Sequence, residues 1–250
     1  MTEPTEQAPP SGPMISPARA HLQRIAAAAA QAPEAQRPSA AGHEHQLLLA
    51  QLYEHRKQLK AIQSVERKVE AKAAMVPVYD EYLDGVLEAD QGGDDPLVTS
   101  LMVWNIDAGR YERALQLATY VLQHQLKLPD QYQRDPATLL IDEFSTAALA
   151  GKMPTDMSAL LRLQDVITLT EGLDAPDQAR AKLHKAMGYV LIGKAWKQEI
   201  DFDTLPADVA EAAHAQLSRA QELFAQVGVK KDLERLERRL KKAAPPAAPN

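Results

Sequence analysis

Apolar side chains recur along most of the chain at steps of three and four residues, the spacing of one face of an α-helix. No stretch alternates Val, Ile, Thr and Tyr as a half-buried strand would. A first helix starts at Ser16-Pro17, where serine caps free N–H groups and proline loses no hydrogen bond, and stops before Pro33. Residues 33–42, PEAQRPSAAG, read as a linker. A long helix is predicted over 43–74, with Leu48, Leu52, His55, Leu59, Ile62, Glu66 and Val69 at alternating steps of four and three. Its apolar members Leu48, Leu52, Leu59, Ile62 and Val69 form a coiled-coil-like seam, which predicts burial between subunits. Pro77 ends that helix. Further helices are predicted near 78–90, 96–108, 110–127, 136–150, 156–171, 176–194, 206–226 and 229–242, with Asp95-Pro96 and Asp135-Pro136 repeating the cap-then-proline start. WNIDAGRYERALQLA reads as a helical hairpin turning at Asp107-Ala108-Gly109, and a second hairpin joins ARAKLHKAMGYVLIGK to AEAAHAQLSRAQELF. The last helix places Val229, Leu233, Leu236 and Leu240 on one stripe. The predicted fold is all-α: a long N-terminal helix, then stacked hairpins resembling tetratricopeptide repeats without a fixed period.

Composition agrees. Aromatic residues are 5% of the 250, and there are only 11 glycines. The expected organisation is a disordered 1–15, an N-terminal helical region at 16–74, a helical-hairpin body at 75–227, an amphipathic helix at 228–242 and a disordered tail at 243–250. There is no cysteine, so disulfide and thiolate chemistry are excluded. The first residues, MTEPTEQAPPSGP, lack the basic start and apolar run of a secretory signal, and the longest apolar stretch, Ile25 to Ala30, is too short to span a bilayer. A cytoplasmic protein without membrane contact is expected.

Charge changes the picture more. The net charge is −6, but residues 75–109 hold eight acids and no base, whereas 1–74 carry nine bases against seven acids and 228–250 carry seven against three. Any nucleic-acid contact should therefore lie near the ends. The candidates are Arg19 and Arg24 on the first helix, and Lys57, Lys60, Arg67, Lys68 and Lys72 on the long one. Rows of mobile cations suit phosphate contact, and they equally suit an ordinary solvated helix face. In GVKKDLERLERRLKK, the cations Lys230, Lys231, Arg235, Arg238 and Arg239 fit a partner-binding helix as well as a DNA contact.

Catalytic signatures are few. Asp80, Asp84 and Glu88 stand at four-residue spacing beside Glu81, which would suit magnesium held by a nuclease or an ion-paired face. No suitably spaced lysine or histidine accompanies them. No phosphate-binding Gly-x-x-x-x-Gly-Lys loop, zinc motif or Gly-x-Ser-x-Gly elbow occurs. His43 and His45 open the long helix, where a metal role is the less favoured reading. No cofactor is expected.

The stretches SPARAHLQRI, DDPLVTSLMVWNIDAGRYERALQLATYVL, ARAKLHKAMGYVLIG and GVKKDLERLERRLK, in that order from about residue 16 to 242, resemble the small terminase subunits of temperate, contractile-tailed phages and prophages. The resemblance implies a ring-like homo-oligomer that binds the packaging site on concatemeric double-stranded phage DNA in the host cytoplasm. It also implies a large-subunit partner that supplies ATP-driven translocation and, in most systems, the nuclease. Residues 228–242 would dock that subunit or close the oligomer. The family is often labelled the endonuclease subunit, but these residues support no catalytic site. The neutral end AAPPAAPN departs from relatives with a long basic tail, and the linker at 33–42 is extended. Two other readings stay open: a metal-dependent endonuclease using the acids of 80–95, and a helical-repeat adaptor that binds only protein.

Overall fold

The computed structural model describes residues 15–31, 39–129, 133–194 and 198–243. The expectations for 1–14, 32–38 and 244–250 lie outside the described residues. Among those described, regular structure is helical and no strand occurs. The helices are α1 (Pro17–Gln31), α2 (Ser39–Ala61), α3 (Val65–Met75), α4 (Asp80–Ala89), α5 (Pro96–Asp107), α6 (Tyr111–Gln123), α7 (Pro136–Leu149), α8 (Met157–Thr170), α9 (Asp177–Leu191), α10 (Ala207–Leu223) and α11 (Lys230–Ala243). Short 3₁₀ turns cover Val76–Tyr79 and Phe202–Thr204. No helix among the described residues is long and apolar enough to cross a membrane.

The start signals act as their chemistry requires. Ser16 Oγ accepts the Arg19 N–H at 3.3 Å, Asp95 the Leu97 N–H at 2.9 Å, and Asp135 the Thr138 N–H at 2.9 Å. Each satisfies a donor that the first helical turn leaves unpaired. α5 ends at Gly109, whose φ of +75° is the left-handed conformation glycine accepts without strain. There the Gly109 and Arg110 N–H groups bond back to Ile106 and Asn105.

The chain divides into two compact units, Met1–Arg110 and Tyr111–Asn250. The expected boundary at 74/75 falls inside the first, because α1 packs on α4 and α3 packs on α5. The expected boundary at 227/228 falls inside the second, because α11 packs on α10. In the first unit Ala26 and Ala27 are fully buried beneath α4. The helices come close there because Gly85 has no side chain: a Cβ at that position would sit 2.7 Å from the Arg24 Cα and 2.9 Å from the Ala27 Cβ. The alanine run is thus a close-packing face. Residues 97–106 of α5 are all buried, and two of its polar members donate within the helix, Ser100 Oγ to the Pro96 carbonyl and Asn105 Nδ2 to the Leu101 carbonyl at 2.7 Å.

In the second unit α7 packs on α8 and α9, and α9 packs along α10 as the predicted second hairpin. Tyr111 meets Phe144 with ring centres 5.6 Å apart. The α11 stripe, Val229, Leu233 and Leu236, is buried with Phe202, Ala213 and Leu217, and Leu240 packs against the same cluster. Its apolar face is therefore covered by its own chain.

The stretch predicted as one helix over 43–74 is two. The backbone leaves helical geometry at Ile62-Gln63-Ser64, and Ser64 restarts it by accepting the Arg67 N–H at 3.3 Å. The predicted seam breaks with it. Leu48, Leu52 and Leu59 are buried inside this chain. Ile62 lies in the break, Val69 is half-buried, and α3 holds no buried residue. A continuous intersubunit seam over these five residues does not survive, because its α2 half already lines the unit's own core.

Candidate nucleic-acid interface

The cations predicted from the sequence fall into two groups. Arg19 lies 3.6 Å from Glu44, a buried carboxylate that also accepts the Gln23 amide at 3.2 Å. Arg24 bonds Glu81 at 3.0 Å and lies 3.7 Å from Glu88. The hydrogen bond and charge of Glu81, then the charges of Glu88 and Asp84, hold its guanidinium more firmly protonated than usual. Lys72 is paired with Asp107. These three are largely neutralised within their own unit.

The other four point outward. Among the described residues Lys57 has only Glu54, 3.9 Å away, as an ion partner. Lys60 and Arg67 are exposed and Lys68 is half-exposed, and among the described residues no acid lies within ion-pair distance of them. At 100° per residue, Tyr53, Lys57 and Lys60 lie within an arc of about 60° on α2, and Tyr53 is 67% exposed. Arg67 and Lys68 follow across the break, in the first turn of α3. Sequence periodicity singles out the lysines but not Tyr53, whose exposure depends on which α2 face the core takes. Arg56, between them in sequence, turns inward and donates to Ser100.

The acidic helix is a structural element of the first unit. Asp80 receives a two-pronged hydrogen bond from Arg110, at 3.0 and 2.8 Å. Glu81 and Glu88 face Arg24. The cations that face these acids come from α1 and from the residue after α5's terminal glycine. The reason is packing: α1 lies directly on α4. Among the described residues no three His, Cys, Asp or Glu side chains are placed to hold a metal ion.

His45 and His55 are built into helix packing. His45 Nε2 lies 3.5 Å from Asp95, and its ring stacks on Tyr82 with centres 5.7 Å apart. The Tyr82 hydroxyl donates to Asp95 at 2.6 Å. His43 is exposed. His55 Nδ1 lies 2.9 Å from the Tyr79 hydroxyl. Desolvation holds the His55 pKa below its ordinary value and pushes that of the buried Tyr79 up.

On α11, Lys230, Lys231, Arg235 and Arg238 are exposed. Arg235 lies over the Phe202 ring, 5.5 Å from its centre. Arg238 Nε donates to its own helix at the Glu234 carbonyl, and Arg239 Nε donates to the Leu205 carbonyl at 2.9 Å. Beneath them the buried Asp232 accepts from Tyr189 at 2.8 Å and Lys194 at 2.6 Å, which fixes α11 to α9 and the turn after it.

Comparison with known proteins adds the following. A family model described as phage small terminase subunit matches residues 49–178. A protein of Escherichia phage P2 described as "Terminase, endonuclease subunit" is 34% identical over 228 residues, covering 91% of this chain and 87% of that protein. No solved structure matches the chain.

Proposed function

This chain belongs to the phage small terminase subunits, a family with a role in viral DNA packaging, and we propose that it binds the packaging site on concatemeric double-stranded DNA and directs the large subunit to it. The observation that carries the DNA contact is the outward set of Lys57, Lys60, Arg67 and Lys68, of which the last three have no ion partner among the described residues, with Tyr53 exposed on the same arc of α2 as Lys57 and Lys60. Cations without a nearby carboxylate are free to displace condensed counterions from phosphates, and a tyrosine hydroxyl can bond a phosphate oxygen. The test is duplex binding by fluorescence anisotropy over a salt series. Replacing the four cations by glutamine should weaken binding to any sequence and lower the salt slope by about 0.9 for each phosphate no longer neutralised. An unchanged slope would leave the patch a solvated face, and no shift of any DNA at low salt would favour the protein-binding adaptor.

In this reading the chain takes part in the cutting complex without cutting. Asp80, Glu81 and Glu88 serve as partners of Arg110 and Arg24, which is work a magnesium site would interrupt. Magnesium-dependent nicking by the isolated protein, abolished in Asp80→Asn and Glu88→Gln, would overturn this in favour of the endonuclease.

Ring formation and docking of the large subunit need apolar surface that the fold leaves uncovered. Met157 and Leu161, one turn apart on α8 and 67% and 59% exposed, have that character. Light scattering should give a mass several times 27.4 kDa. Met157→Asp with Leu161→Asp should lower that mass or abolish capture by the large subunit without loss of helicity.

A further inference from the structure

From the sequence, the cations of α11 fit a partner-binding helix as well as a DNA contact, and the covered apolar stripe narrows what the helix offers. Over residues 230–242 the exposed surface of the helix contains Lys230, Lys231, Glu234, Arg235, Glu237, Arg238, Lys241 and Lys242, and no apolar side chain. Protein interfaces draw their affinity from buried aromatic and aliphatic anchors, and this surface has none to bury. At 100° per residue its six cations fall within an arc of about 140°, opposite the buried Val229-Leu233-Leu236 stripe.

Most acids near this surface are engaged with particular cations. Asp203 pairs with Lys242 at 2.7 Å, Asp232 lies 3.8 Å from Arg235, and Glu237 lies 3.7 Å from His214. Glu234 remains among the cations. Among the described residues no acid lies within ion-pair distance of Lys230, Lys231, Arg238 or Lys241. From 230 to 241 the helix rises about 16 Å, the length of roughly five phosphates along one strand of a duplex. The platform is held in place. Asp232 ties it to Tyr189 and Lys194, and Lys185 Nζ donates to the Val227 carbonyl at 2.8 Å in the preceding turn.

We propose that the outer face of α11 is a second, sequence-independent grip on the backbone of duplex DNA, separate from the patch on α2 and α3. It rests on the DNA-binding reading above, and lies outside residues 49–178, where the family model matches. Its occupant is a polyanion with regularly spaced charges, met by side chains that present charge alone. Arg235 is positioned over Phe202 and Lys242 is held by Asp203, so the four unpaired cations neutralise the phosphates.

The experiment uses the full chain and two unrelated duplexes, titrated between 50 and 200 mM salt. Two quadruple glutamine variants are compared: one at Lys230, Lys231, Arg238 and Lys241, the other at Lys57, Lys60, Arg67 and Lys68. Helicity and melting should match wild type, since all eight side chains are exposed or half-exposed. The α11 variant should lose affinity equally for both duplexes, with a salt slope lower by up to about 3.6 if each of the four cations neutralises one phosphate. If wild type binds DNA and the α11 variant keeps both affinity and slope while the other variant loses them, the inference is overturned and the α2–α3 reading stands. If wild type binds no duplex at 50 mM salt, the DNA-binding reading itself fails. If the α11 variant binds DNA normally but no longer captures the large subunit, the grip is for an acidic protein surface and the inference is overturned.

Discussion

Gly85→Ala offers a sharp test of how the first unit is assembled, because the same chemical change elsewhere should have the opposite sign. A Cβ at Gly85 would meet the Arg24 Cα at 2.7 Å, the Arg24 carbonyl oxygen at 2.9 Å and the Ala27 Cβ at 2.9 Å. Two of these are backbone atoms, so no side chain can swing away and α1 itself must shift. Overpacking of this kind costs about 1–3 kcal/mol. Alanine recovers about 1 kcal/mol of helix propensity, so the net change is between neutral and about 2 kcal/mol of destabilisation. At Gly42, in α2, a Cβ meets nothing within 4 Å, and Gly42→Ala should stabilise by about 0.5–1 kcal/mol. The propensity contribution is common to both, so the gap between the variants isolates the collision at about 1–3 kcal/mol. Urea unfolding of both proteins measures it, with limited proteolysis reporting whether α1 has loosened. A gap below about 0.5 kcal/mol, or a Gly85→Ala protein as stable as Gly42→Ala, would refute the close approach of α1 to α4.

Three further outcomes follow from the same packing and ion pairs. Desolvation lowers the His55 pKa in the folded chain, so as pH falls below about 6.5 the unfolded chain takes up a proton that the fold resists. Stability should therefore drop on that side and be level above it, and a His55→Gln protein melted across pH 5–8 should show a shallower acid slope. Arg24→Gln should leave the salt slope of DNA binding unchanged, since Glu81 and Glu88 already hold that guanidinium, whereas Lys60→Gln should lower it by about 0.9. Asp232→Ala removes the acceptor shared by Tyr189 and Lys194 and should destabilise by about 1–3 kcal/mol. Proteolysis should then reach α11 before the rest of the second unit.

Local chemistry made the helices legible. The serine or aspartate ahead of proline at 16–17, 95–96 and 135–136 marks starts that the backbone uses, because the cap and the missing proline N–H act within one turn. The break at Ile62-Gln63-Ser64 carried a signal too, a serine three residues before the Arg67 N–H it caps. The regular spacing from Leu48 to Val69 outweighed it, since a heptad pattern says nothing about whether its hydrogen bonds are continuous. Burial of Leu48 and Leu52 was legible as a fact but not as a partner, because an apolar stripe does not say whether α1 and α5 of the same chain or another molecule covers it. The fate of the charges was not legible. Asp80 with Arg110 and Glu81 with Arg24 are separated by 30 and 57 residues. Only the packing of α1 on α4 and the turn after α5 bring them together.

The interruption at 62–64 has a consequence for how the molecule breathes. α3 has no buried residue, and the Lys72 to Asp107 pair is its ion-pair tie to α5, whereas residues 97–106 of α5 are buried throughout. Opening α3 exposes little apolar surface, so its free energy of local unfolding lies far below that of α5. Amide protons of residues 65–75 should exchange with solvent well before those of 97–106, on a schedule set by α3 alone. Arg67 and Lys68 should then sit on the part of the first unit that opens at least cost, while residues 97–106 stay protected.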